Sequence, residues 1–311
     1  HFGRDGREEA EALLQRRSGD PNNPRILTAF NENTSNWLAY YMFTFFTDRD
    51  GKFQLAALAE SGFDPLARTT RFMLTEEAHH MFVGESGVAR VLQRTCEIMR
   101  EQNLTDPSQV RSKGVIDLET LQRFVNFHYS VTLDLFGSEV SSNAAGYYTG
   151  GLKGRYGETN ITDNHSLGTD FYTIQEIETG AMVDRQVPAL TALNARLRDD
   201  YTREIQAGVD RWNRIPERFG IPFRMTLPHV GFHRKIGSFE GYCISPDGRL
   251  LLSKEDWEHQ SASWLPSDHD HEFVGSLMGR VIDPGNFANW IAPPVRGINN
   301  LPIEFEYVRF D

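Results

Sequence analysis

The sequence predicts a mainly α-helical first half followed by a mixed, loop-rich second half, and three segments carry that prediction. Residues 37–58 open on an aromatic run (Trp37, Tyr41, Phe45), with Thr34 or Ser35 placed to cap the helix N-terminus. After the turn Ser61-Gly62-Phe63-Asp64-Pro65, residues 65–102 form a long, strongly helix-forming stretch, with Pro65 at the first helical position. Asp117 caps a further stretch over residues 118–145, where Leu121, Phe124, His128, Val131 and Leu135 recur at helical spacing.

The remaining elements are less regular. The first three residues read as a frayed helix tail, and residues 6–17 as a short charged helix stopped by Ser18-Gly19-Asp20-Pro21. Beyond Gly146 a glycine-rich connection leads to a helix expected over residues 187–217. From Ile221 onward, proline, glycine and aromatic residues dominate. Ser245-Pro246-Asp247-Gly248 reads as a hairpin turn, and residues 291–311 as an extended surface tail. The chain divides into residues 1–149, a helical bundle portion, and 150–311, a mixed region packing on it.

Composition narrows the function. With 311 residues, 39% hydrophobic and 24% charged, the chain reads as an ordinary soluble globular protein. A net charge of −11 disfavours a nucleic-acid or anionic-membrane surface. The longest apolar run, residues 37–46, falls short of the about 20 residues a bilayer span needs. The expectation is therefore no nucleic acid and no membrane. Cys96 and Cys243 form no CxxC motif and fit a reducing cytoplasm. The chain begins at His1 with no leader, which reads as a piece of something longer.

The chemistry lies in Thr75-Glu76-Glu77-Ala78-His79-His80-Met81. A Glu and a His three residues apart share one helix face and can clasp one metal ion. Ferritin-like di-iron bundles use two such Glu-x-x-His helices and two helices that each give one carboxylate. Two registers overlap here, Glu76 with His79 and Glu77 with His80. The second is favoured because Met73, Met81, Val88 and Val91 share its face. Asp48 lies thirteen residues before the 61–64 turn and Glu77 thirteen after it, so antiparallel folding brings them level, each roughly 20 Å from the turn. Thr47-Asp48-Arg49-Asp50-Gly51-Lys52 reads equally as a solvent turn. It is not a calcium loop, since position twelve is Ala59 rather than Glu.

Several stretches then identify a resemblance: Phe46-Thr47-Asp48-Arg49-Asp50-Gly51-Lys52-Phe53-Gln54-Leu55, Phe72-Met73-Leu74-Thr75 running into the Glu-x-x-His segment, Asp210-Arg211-Trp212-Asn213-Arg214-Ile215-Pro216, Phe232-His233-Arg234-Lys235-Ile236-Gly237 and Ala288-Asn289-Trp290-Ile291-Ala292-Pro293-Pro294. Across essentially the whole chain the sequence resembles the oxygenase components of benzoyl-CoA epoxidases. The resemblance implies a ferritin-like bundle holding two non-haem Fe ions with two carboxylates and two Glu-x-x-His pairs. Of these donors it places the later carboxylate and pair on Asp48, Glu77 and His80, and the earlier set upstream of His1. It also implies epoxidation of benzoyl-CoA with O2, with NADPH electrons arriving through a separate flavin and iron–sulfur reductase. Tyr41, Phe45, Met73 and Met81 are then expected to exclude water from the site. With half the donors, the 311 residues alone are expected to be inactive. The rival readings are a ferroxidase or iron-storage bundle and a purely structural helical protein.

Other segments read as decoys. Ser267-Asp268-His269-Asp270-His271-Glu272 is expected to be a capped helix start rather than a metal site. His128 is expected to be a satisfied core histidine and Glu139 a surface acid. Lys153, Arg155, Arg234 and Lys235 are expected in solvated basic loops rather than on CoA phosphates. Residues that touch the substrate are not legible.

Overall fold

The computed structural model describes residues 6–154, 166–282 and 287–296. It is mainly helical, in the order α1 (Gly6–Leu14), α2 (Trp37–Leu58), α3 (Asp64–Gln102), α4 (Pro107–Arg111), α5 (Leu118–Leu133), α6 (Ser142–Thr149), α7 (Ser166–Thr169), the hairpin β1 (Phe171–Glu178) and β2 (Ala181–Pro188), α8 (Leu193–Arg218), the short pair β3 (Cys243–Ile244) and β4 (Leu251–Leu252), α9 (Lys254–Trp264) and α10 (Asp268–Ser276). Among the described residues no helix is long and apolar enough to cross a membrane.

Helix α2 is the centre of the fold. Its apolar residues lie all round the axis, the pattern of a helix covered on several sides, and it packs against α3, α5 and α8. Leu38, Met42, Phe45, Phe46 and Phe53 are fully buried, each contributing on the order of 1.5–3 kcal/mol. Asn36, rather than Thr34 or Ser35, caps the helix, its side chain accepting from the Ala39 N–H at 2.8 Å. The α2–α3 hairpin is tight because α3 presents glycines to α2. A Cβ at Gly84 would stand 2.5 Å from the Phe45 amide nitrogen, and the Tyr41 ring lies directly over Gly87. Helix α3 ends at Asn103, which takes a left-handed φ of 52° and sends its N–H to the Met99 carbonyl.

Asp117 caps α5, accepting from the Thr120 N–H at 2.9 Å. The long helix expected over residues 118–145 is instead two helices. After Leu133 a 3-10 turn leads to Gly137 at φ +80°, which no helix accommodates, and Ser141 caps α6 anew. Likewise the helix expected from residue 187 begins at Leu193, because residues 171–188 pair as an antiparallel hairpin. Its turn is Thr179-Gly180, both at positive φ, a two-residue geometry that suits the twist of paired strands. The Ser245–Gly248 turn joins β3 to β4 as a hairpin.

Helix α8 lays Leu197, Tyr201, Ile205, Val209 and Trp212 into the same core as α2, α3 and α5. Phe45 packs on Trp212 with ring centroids 4.2 Å apart and the rings tilted by 41°. Residues 287–296 strap across α3: the Ala292 N–H donates to the Arg90 carbonyl at 3.0 Å, and Arg90 Nε donates to the Ala292 carbonyl at 2.7 Å. Trp290 and Ile291 are buried under it. Residues 1–5 and 297–311, and with them the expected helix tail and most of the expected surface tail, lie outside the described residues.

Three expectations about charged groups are corrected. Glu139 is no surface acid: it is fully buried, paired with Arg198, and accepts from the Ser238 N–H at 2.7 Å. Arg234 is not in a solvated loop: its side chain is fully buried and donates from Nε to Asp134 at 2.6 Å. Lys153 is half-buried and hydrogen-bonded to Gln54 at 2.7 Å. Lys235, by contrast, is exposed at the side chain and pairs with Glu32. Arg155 lies outside the described residues. The buried groups make a network that chain order hides: their partners are about a hundred residues away for Arg234–Asp134 and Glu139–Ser238.

Ser267 does cap α10, as a reciprocal capping box with Asp270. Asp270 is committed to Arg111 at 2.8 Å and Arg123 at 2.9 Å. Burial alone would push its carboxyl up, but hydrogen bonds from Arg123 and Ser267 hold it well below the usual range. His128 is a core histidine, as expected, but its Nε2 has no hydrogen-bond partner among the described residues. Burial pushes it down to about 3, so it stays neutral in the folded protein.

Candidate metal centre

The level pairing of Asp48 with the 77–80 turn follows from the α2–α3 hairpin. Residues 47–52, which read equally as a solvent turn, lie inside α2 without a break. Thr47 is buried against Thr132 of α5, their hydroxyls 3.2 Å apart. Gly51 is the reason the turn reading fails. A glycine inside a helix costs about 1 kcal/mol relative to alanine, but here its missing side chain makes room: a Cβ would stand 3.3 Å from Glu77 Oε1. Within the segment that read equally as a solvent turn, Gly51 is a recess for a carboxylate.

Asp48, Glu77 and His80 converge. Each offers a ligand atom, and these atoms all lie within 4.8 Å of one another. His80 Nδ1 stands 3.6 Å from Asp48 Oδ2 and 3.9 Å from Glu77 Oε2. Those separations are too long for direct hydrogen bonds and suit donors aimed at a common point. Glu76 and His79, the rival register, lie on the exposed side of α3, outside the cluster.

The local electrostatics call for a cation. The neighbouring positive groups are drawn away: Arg49 pairs with Glu85 and Glu204, each at 3.3 Å, and Lys52 with Glu204 at 2.6 Å. Burial, and the facing Glu77 carboxylate, push Asp48 up to about 7 against the opposing pull of His80. Burial likewise raises Glu77, again against His80. Glu77 Oε2 is buried and has no hydrogen-bond partner among the described residues. A buried carboxylate oxygen left unpaired is costly, and a metal ion at the convergence point removes that cost. Two hard carboxylates and an imidazole are a donor set that suits iron. The residues present therefore fit a metal ion such as iron.

The water-excluding lining is not assembled as expected. Tyr41 lies over Gly87, Phe45 packs on Trp212 and under the Arg49 guanidinium, and Met73 is 43% exposed. Phe72 is 75% exposed. The Phe72–His80 stretch of α3 is thus largely uncovered by the described residues, with only Leu74 and Glu77 half-buried.

The chain is 65% identical, over all 311 of its residues, to benzoyl-CoA oxygenase component B of Aromatoleum evansii. It belongs to this protein's family. It spans 66% of that relative's length, just under two thirds. No protein-family model matches the chain. The likeness to component B runs through both the Asp48 and the Glu77–His80 segments, since it covers the chain from end to end. Beyond those three donors, sequence reading missed the role of Gly51; the signal present was a glycine spaced one helical turn from Asp48.

Proposed function

We propose that this chain is the larger part of the oxygenase component of a benzoyl-CoA epoxidase, acting in the cytoplasm, with Asp48, Glu77 and His80 as donors to a non-haem di-iron centre. The observation that carries the reading is the convergence of these three side chains around the unpartnered Glu77 oxygen, in a chain 65% identical to a benzoyl-CoA oxygenase component. In this reading residues 1–149 are the second half of a ferritin-like bundle, and residues 150–311 pack on it, α8 completing the core behind α2. Three donors cannot serve two irons, so the remaining carboxylate and Glu-x-x-His pair come from helices outside these 311 residues. Those helices also cover the open stretch of α3 at Phe72 and Met73.

Iron held by such donors supplies the redox chemistry by which molecular oxygen is activated. The chain's own residues prepare that chemistry. Gly51 admits Glu77 to the helix interface, and Gly84 and Gly87 bring α3 close enough for Asp48 to meet His80. Arg49 and Lys52, tied to α8 through Glu204, stay out of the donor set. Electrons come from NADPH through a separate flavin and iron–sulfur reductase, the other component that the relative's designation as component B suggests.

The test is oxygen uptake by the full-length, iron-loaded protein with its reductase and NADPH. Uptake is expected to depend on benzoyl-CoA and to yield an epoxidised thioester. Uptake driven by ferrous iron alone, indifferent to the thioester, would return the protein to the storage reading.

A further inference from the structure

Beside the C-terminal half of α2 lies an open cavity of about 200 Å³, lined also by α6 and the first turns of α8; Asp48, Glu77 and His80 are not among its lining residues. Its walls are mostly apolar and aromatic, among them Phe136, Leu193, Leu197 and Tyr148. Into it project Lys153 and Gln54.

The polar end is unusual. Lys153 Nζ donates to Gln54 Oε1 at 2.7 Å, a neutral acceptor, while the Gln54 amide donates to the buried Asp50 at 3.1 Å. Gln54 thereby stands between the two charges, and Lys153 has no ion pair within 4 Å among the described residues. Burial pulls the Lys153 ammonium down, partly countered by the charge of Asp50. The acid on the cavity wall, Asp200, is engaged by Arg203, and Arg196 adds a second cation at the rim. A half-buried ammonium with two N–H bonds unspent among the described residues is a receptor for an anion.

Size selects the kind of anion. A cavity of about 150 Å³ is known to hold a benzene ring, so this one has room for a single ring bearing one small polar group. The geometry points to a binding site for a one-ring organic carboxylate, its acid group on Lys153 and its ring between α6 and α8. This site is distinct from the metal centre and does not depend on the oxygenase reading.

Titration of the metal-free, full-length protein with benzoate tests it, with cyclohexanecarboxylate, benzyl alcohol and unacylated coenzyme A as comparison ligands. Benzoate and cyclohexanecarboxylate are expected to bind, and benzyl alcohol at least about tenfold more weakly, since hydrogen bonds to charged groups are worth about 1.5–3 kcal/mol. Lys153→Met is expected to weaken benzoate at least about tenfold by the same loss, and Lys153→Arg to retain most of the binding. Ala144→Phe, which fills the cavity from the α6 side, is expected to abolish binding while circular dichroism stays unchanged. Benzoate affinity indifferent to both Lys153→Met and Ala144→Phe would overturn the site. Benzyl alcohol binding as well as benzoate, or coenzyme A displacing benzoate through the same residues, would overturn the ligand class. Because no iron is present, these outcomes are separate from any failure of oxygenase activity.

Discussion

Replacing His80 by alanine in the full-length protein is expected to remove bound iron and to lower benzoyl-CoA-dependent turnover by on the order of 100-fold or more. Losing a residue that merely orients a ligand already costs about 10–100-fold, and His80 would be a ligand itself. The fold should be indifferent. The His80 side chain is 46% exposed and lies in the middle of a 39-residue helix held by the packing of Gly84, Val88, Val91 and Leu92 further along it. Far-ultraviolet circular dichroism and the melting temperature of the metal-free variant are therefore expected to match wild type. The companion variant His79→Ala decides the register, because His79 sits outside the donor cluster. It is expected to keep both iron and activity; loss of iron in His79→Ala, with retention in His80→Ala, would reverse the assignment.

The largest expected effect on stability lies far from the metal donors. Arg234→Met removes a fully buried guanidinium that bonds Asp134 at 2.6 Å and the Val230 carbonyl at 3.1 Å, and that lies 3.7 Å from Glu139. Methionine fills much of the volume but leaves the buried Asp134 carboxylate with only the Lys235 N–H, at 3.1 Å, on its other oxygen. Breaking a buried pair from one side costs about 3–5 kcal/mol, which corresponds to a fall in melting temperature on the order of 10 °C. The double variant Arg234→Met, Asp134→Asn removes the stranded charge and is expected to recover part of the loss, as coupled neighbours do. Chemical denaturation of the three proteins measures this. A loss under about 1 kcal/mol for Arg234→Met would mean that the pair is solvated rather than buried.

The helices and caps that depend on nearby residues were legible in the sequence. The α2–α3 hairpin, the turn between them and the Asp117 and Ser267 caps all follow from apolar spacing, proline position and short polar side chains. Register arithmetic about the 61–64 turn was enough to bring Asp48 level with Glu77, because a straight antiparallel pair of helices preserves distance from the turn. What was not legible depends on partners remote in sequence. Nothing near Glu139 announces Arg198, and nothing near Arg234 announces Asp134, so both were read as surface groups. Gly137 was hidden inside a convincing apolar period, and its positive φ is a property of the chain path rather than of composition. The β1–β2 hairpin escaped because Thr179-Gly180 is a weak turn signal and Gln175, Glu176 and Asp184 dilute the strand pattern. At Gly51 the reading stayed divided for the opposite reason: local propensity favours a break there, whereas a carboxylate from another helix occupies the space that the missing side chain leaves.

The central claim, that Asp48, Glu77 and His80 hold iron, is tested most directly by locating the metal. Crystals of the iron-replete, full-length protein, measured on both sides of the iron absorption edge, show iron positions independently of any activity. The account predicts an anomalous peak within coordination distance of His80 Nδ1 and of the Asp48 and Glu77 carboxylates, with Glu76 and His79 outside it. Iron peaks elsewhere in the molecule, with Asp48, Glu77 and His80 left uncoordinated, would contradict it.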